Sequence, residues 1–245
     1  MFPLRDINPT RIFPIITIGL IVANLFVFFG WQKWFDSSDE EITDFLYENA
    51  AVSCELTTGD PLGQAEIEGA ACSDAPGAER FPEKNLLLSA IVSMFLHGGL
   101  LHLLGNMWFL WIFGNNIEEA FGSLGFLGMY FAAGIAATAA FVLLNPNTTD
   151  PLVGASGAIA GVLGAYLVLF PKHKITSLVF VFFVPISAIV YLSIWFFSQF
   201  LVGDTSVAWE AHVAGFIIGV LLTLPLRNRL LGRVGALHAT TRFRT

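Results

Sequence analysis

The chain has 245 residues, of which 55% are hydrophobic, 24 are Phe and only 13% are charged. Its mean hydropathy is +0.70. So few charges cannot cover a water-soluble domain of this size, which excludes one and points to the bilayer as solvent. The net charge of −7 is confined: 13 acids against three bases give residues 32–87 a charge of −10, so the remaining residues carry +3. No basic stretch interleaves with aromatics, so nucleic acid is not an expected partner.

In lipid the backbone must satisfy its own hydrogen bonds, and a spanning helix needs about 20 apolar residues. The apolar runs here are continuous and not alternating, so they read as helices. The first covers about 12–31. Arg5 and Arg11 precede it as in a signal peptide, but the run is long and reaches Trp31 and Trp34 without a small-residue cleavage site, so an uncleaved helix is expected. The polar, acidic loop 32–87 follows. Further helices are expected at about 88–114, 123–144, 154–170, 176–201 and 208–226, joined by short connectors. Residues 1–226 then form one membrane domain, followed by a basic tail over 227–245. The expected fold class is an all-α membrane protein with six spanning helices.

Six crossings put both termini on one side. Lys and Arg are enriched in cytoplasmic segments. Nine fall on the side of the termini and only Lys33, Arg80 and Lys84 on the other, so both termini are expected in the cytoplasm and the acidic loop outside. Cys54 and Cys72 lie in that loop. A disulfide in an oxidising compartment and a pair of free thiols are the two readings. No His or carboxylate cluster with metal-site spacing surrounds them, so no metal is expected.

Polar residues inside spanning helices are costly and mark function by default. Three clusters stand near the outer ends of their helices. His97-Gly98-Gly99 leads into His102 and Asn106, which are four apart and share a helix face. Interhelical hydrogen bonding would explain them equally well. Gly154-Ala155-Ser156-Gly157 opens a helix, where unpaired backbone N–H groups suit an oxyanion. An N-cap serine beside a small-residue packing face, Gly157, Gly161 and Gly164, is the plainer alternative. His212, Gly215 and Gly219 form one stripe on the last helix. Two glycine-lined faces packed together would bring Ser156 and His212 to similar depth, and a serine within reach of an imidazole is the minimal activated nucleophile. A lone packing histidine is the alternative there.

At these residues the sequence resembles the rhomboid intramembrane serine proteases. The motifs are His97-x4-His102-x3-Asn106, Gly154-x-Ser156-Gly157 and Ala211-His212-x2-Gly215-x3-Gly219. The resemblance implies a six-helix bundle with an outward-opening cavity, Ser156 as nucleophile and His212 as general base and acid. It makes His102, Asn106 and the Ser156 amide the oxyanion donors, with Gly154 shaping their turn, and reads Glu118 as structural. It implies single-span membrane proteins as substrates, cut near the outer leaflet of a plasma (inner) membrane, and no metal or organic cofactor. Access would lie beside the fifth helix, where Trp195 and Phe196 are gate candidates and lipid-facing anchors are the equal alternative; loop 202–206 would cap the cavity. A Ser–His dyad is expected, because Glu210 is two residues from His212 and points elsewhere, while Asp150 and Asp204 are in loops.

Two departures stand out. The first loop has no Trp-Arg pair, and Ala160 stands where some relatives place an aromatic that supports the histidine, so His212 is expected to be held differently. The alternative function is a catalytically inactive relative that binds client helices. A small transporter is disfavoured because the polar cluster stays on one side of the bilayer.

Overall fold

A computed structural model of the chain describes residues 1–69, 71–73, 77–201 and 208–241. Among these, two helices are long and apolar enough to cross a membrane. They are α7 (Ser123–Leu144) and α10 (Trp209–Thr223), the latter running on through Leu224–Leu226 into α11 (Arg227–Thr241). A third candidate is α5 (Leu86–Val92) with α6 (Leu100–Phe121), bent by 78° at the break between them. Three shorter apolar helices join them: α1 (Ile15–Phe26, extended by a π-helical turn to Trp31), α8 (Ser156–Leu169) and α9 (Ala188–Ser198, extended to Leu201). The protein is therefore a mainly helical, multi-pass membrane protein.

The bundle is organised around α8, whose residues Gly157–Tyr166 are all buried. A helix that is apolar on every face belongs in the centre. Its closest neighbour is α10, followed by α7 and α6. Small residues permit this closeness: a Cβ on Gly161 would lie 2.3 Å from the Ala133 side chain of α7, and one on Gly164 would lie 2.1 Å from the Phe216 carbonyl of α10.

The first half of the expected fifth helix is a correction. Residues 174–187 form a β-hairpin, β4 (Lys174–Val179) and β5 (Phe182–Ser187), and only α9 continues as helix. The β-branched and aromatic run favours a strand, and Pro185 cannot donate in a helix interior. In the sheet Pro185 is tolerated because β5 is an edge strand, the order being β1-β4-β5 with β1 at Phe2–Asp6. The all-α expectation thus gives way to a helical bundle carrying small sheets.

Glu118 organises the start of α1. Its carboxylate accepts from the N–H groups of Ile16 and Thr17 at 3.0 and 2.8 Å, and from the Thr17 and Ser123 hydroxyls. That satisfies orphan donors at a helix start with a negative charge, where the helix dipole favours one.

The acidic loop is folded. It holds α2 (Asp39–Asn49), β2 (Ala51–Val52), α3 (Ser53–Thr58) and α4 (Gln64–Gly69), around a small core of Tyr47, Val52, Cys54 and Leu62. Ser38 and Glu41 form a capping box at the start of α2. Cys54 and Cys72 are joined by a disulfide. Lys84 and Glu55 form a buried ion pair, and the Lys84 ammonium also donates to the Tyr47 carbonyl at 2.6 Å. This subdomain docks on the bundle by pairing β2 with β3 (Pro151–Leu152), immediately before α8.

Candidate active site

A cavity of about 1250 Å³ opens between α6, α7, α8 and α10. Ser156, His212, His102, Asn106, Gly154 and Trp195 all line it. The structure thus brings together every sequence-predicted site residue except Phe196 and the cysteine pair.

Ser156 is the first residue of α8. The cap position is Ala155 and no side chain caps this helix, so Ser156 is not an N-cap serine. Its hydroxyl sits where the first-turn N–H groups are unpaired. Gly154 has φ +122°, a conformation that a side chain would strain. The space is also taken: a Cβ there would lie 2.8 Å from Nε2 of His102 and 3.5 Å from the Ser156 hydroxyl. His102 and Ser156 therefore flank the same point. Asn106 lies one turn beyond His102 on α6, and its Nδ2 is buried with no hydrogen-bond partner among the described residues. A donor of that kind, next to a serine and a histidine, is arranged to receive negative charge.

His212 reaches the cavity from the first turn of α10. Depth is matched by the glycine faces: a Cβ on Gly157 would lie 3.7 Å from the Ala211 carbonyl, and one on Gly215 would lie 2.0 Å from the Gly157 carbonyl. Each contact involves a residue next to Ser156 or His212, or one turn from it. No hydrogen bond joins Ser156 to His212 among the described residues; such bonds often tighten only in a substrate complex. The His212 Nδ1 instead lies 2.8 Å from Oε1 of Gln199. The Trp195 ring lies 6.3 Å from the imidazole, while Ala160 is buried and offers no ring. Support for the imidazole thus comes from α9.

Trp195 and Phe196 are half-buried and pack on Phe216 of α10, at 5.9 and 4.9 Å between ring centres. They lie between α9 and α10, while Phe197 and Phe200 face outward. Glu210 accepts from Asn145 at 3.3 Å, away from His212. Loop 202–206 and Asp204 lie outside the described residues.

Three residues escaped the sequence reading. The Gln32 amide brackets the His97 backbone, donating to its carbonyl at 2.7 Å and accepting from its N–H at 3.3 Å, while the His97 ring meets His102 edge-on. Ser93 links the loop subdomain to the site: its hydroxyl accepts from Ala51 N–H at 2.6 Å and its carbonyl from Gly154 N–H at 2.9 Å. Gln199 is the third. Both glutamines carry amides at the ends of apolar runs, and that placement was the available signal.

Comparison with known proteins gives a consistent result. Residues 84–229 match the rhomboid domain family. "Rhomboid protein 1, mitochondrial" of Saccharomyces cerevisiae is 36% identical over 163 residues, covering 60% of this chain and 46% of that protein. "Presenilin-associated rhomboid-like protein A, mitochondrial" of Danio rerio is 26% identical over 164 residues, covering 59% and 43%. "Rhomboid protease GluP" of Bacillus subtilis is 46% identical over 81 residues, covering 33% and 15%. The chain spans half or less of the length of these relatives.

Proposed function

This chain belongs to the rhomboid family, and on that premise we propose that it is an intramembrane serine endopeptidase acting through Ser156 and His212. The observation that carries this reading is the cavity into which Ser156, His212, His102 and Asn106 all converge, the Asn106 Nδ2 having no hydrogen-bond partner among the described residues.

In this reading His212 Nε2 takes the hydroxyl proton as Ser156 Oγ bonds to the substrate carbonyl carbon. The tetrahedral oxyanion is held by His102, Asn106 and the Ser156 amide. Collapse breaks the C–N bond, and His212 gives its proton to the leaving amine. Water then attacks the acyl-enzyme, its proton passing to His212; the acyl C–Oγ bond breaks, His212 returns the proton to Ser156 Oγ, and the carboxylic acid product leaves.

The substrates proposed are single-span membrane proteins, which would enter from the lipid beside α9, past Trp195 and Phe196. In this reading the chain crosses six times, with α9 as the outer part of the fifth crossing, so that both termini share the cytoplasmic side and the cavity opens on the other. The excess of Lys and Arg toward the termini supports that orientation. The Cys54–Cys72 disulfide calls for an oxidising outer compartment, which a plasma (inner) membrane faces.

A fluorophosphonate probe tests the nucleophile. The purified chain is expected to take up one label on Ser156, located by peptide mass, with uptake lost in His212→Ala. Labelling elsewhere, or equal labelling of His212→Ala, contradicts the reading.

A further inference from the structure

Gln199 opens the turn that ends α9 and is buried, whereas Phe200 and Leu201 beside it are exposed. Its Nε2 donates to the Trp195 carbonyl at 3.0 Å and to the Ser198 hydroxyl at 3.3 Å. A carbonyl only accepts, so the NH2 group must face Trp195. Oε1 therefore faces His212 Nδ1, 2.8 Å away. An amide oxygen also only accepts, so the proton of a neutral His212 sits on Nδ1. Nε2 is then left with its lone pair, the form that a base acting on a serine requires.

The helix end does not need this contact. Binding of the Trp195 carbonyl already satisfies an orphan acceptor at the end of α9. The remaining half of the amide is spent on the imidazole.

From this geometry we propose that Gln199 is a positioning residue that fixes the tautomer and orientation of His212, so that the site has a third, neutral member behind its serine and histidine. This rests on the protease reading above, because an oriented base matters only if the base is used.

The test uses the full-length chain in detergent, with Gln199→Leu to remove the acceptor at similar volume and Gln199→Glu to keep it. Two readouts are taken. The imidazole nitrogen-15 signals of His212, assigned by their loss in His212→Ala, report the tautomer. Cleavage kinetics on a single-span substrate report kcat and KM separately. Wild type is expected to show a protonated Nδ1 and an unprotonated Nε2. Gln199→Leu should move the signals toward a mixture and lower kcat about tenfold or more, part of the roughly 10²–10⁴ that a positioned general base supplies. KM should stay within about twofold, since the loss falls on the transition state. Gln199→Glu should restore most of both. Unchanged signals and kcat in Gln199→Leu overturn the proposal, as does a loss of kcat that Gln199→Glu fails to rescue while the tautomer stays put. A wild type that cleaves no substrate overturns the protease reading instead, and the nitrogen signals then decide the role of Gln199 by themselves.

Discussion

Gly215 of α10 leaves no room for a side chain against Gly157 of α8: a Cβ there would lie 2.0 Å from the Gly157 carbonyl oxygen. The same relation recurs one turn on, where a Cβ on Gly219 would lie 2.0 Å from the Gly161 carbonyl. These backbone contacts set the distance between the helices carrying Ser156 and His212. Gly215→Ala must push α10 away from α8, and overpacking of this kind costs about 1–3 kcal/mol. We expect a lower thermal midpoint and cleavage reduced at least tenfold. Gly232→Ala, in open space on α11, should change neither. Wild-type cleavage by Gly215→Ala would refute this role for the glycine contacts.

Gly154→Ala tests the turn between His102 and Ser156 directly. The alanine must hold its backbone at φ near +122°, and its methyl must displace the His102 ring. Backbone strain alone costs about 1–3 kcal/mol. The expected outcome is retained helical circular dichroism with fluorophosphonate uptake at Ser156 at least tenfold slower. Equal uptake would mean that the turn does not shape the site.

The loop subdomain and the site share Ser93. Its hydroxyl receives the Ala51 N–H and its carbonyl receives the Gly154 N–H, while β2 pairs with β3. Ser93→Ala leaves the Ala51 donor buried and unpaired, at a cost of about 1–3 kcal/mol. Removing the Cys54–Cys72 link, 18 residues apart, costs the subdomain about 3 kcal/mol by loop-closure entropy. Hydrogen exchange should therefore quicken at residues 151–154 as well as 51–54 in both Ser93→Ala and a Cys54→Ser/Cys72→Ser double variant. Faster exchange confined to 54–72 would show the subdomain to be uncoupled.

At the other end of the molecule, burial pushes the Asp6 carboxyl up to about 6, against the opposing hydrogen bonds from Tyr166 and Asn116. A raised folded value means that the folded chain holds this proton more tightly than the unfolded chain. The associated stability is complete below the ordinary value near 3.8 and is lost as pH rises through about 6. Asp6→Asn keeps an oxygen acceptor for both donors and cannot ionise. It should be more stable than wild type at pH 7.5 by about 1–3 kcal/mol, allowing for partial exposure, and little different near pH 4. Thermal melts at the two pH values check this, and a constant difference between them would contradict it.

How much of this was legible in the sequence depended on the range of the interactions. Hydropathy marked the apolar segments, because the bilayer selects long runs irrespective of tertiary partners. The glycine offsets on α8 and α10 announced a close helix pair, since spacing on one face is a local property. The β4–β5 hairpin was missed because the expected helix 176–201 is predominantly apolar along its length, so hydropathy could not separate a strand from a helix. Pro185 was the local sign of it, and pairing with Phe2–Asp6, more than 165 residues away, is not local at all. For the same reason the convergence of His212 and Ser156 on one cavity was readable from motifs, while the Gln199 contact was not. Gln199 is 13 residues from His212 on another element, and nothing in its own neighbourhood announces the imidazole.

In the proposed function, Ser156 and His212 cut a peptide bond within the membrane. The most direct measurement is cleavage of a single-span substrate by the chain reconstituted in liposomes, with fragments identified by mass. The proposed function requires cleavage within or beside the spanning segment by wild type, and none by Ser156→Ala or His212→Ala when both retain their helical content. Cleavage by Ser156→Ala at the wild-type rate, or no cleavage of any of several substrates by wild type, would contradict it and leave the binding of client helices as the function to examine.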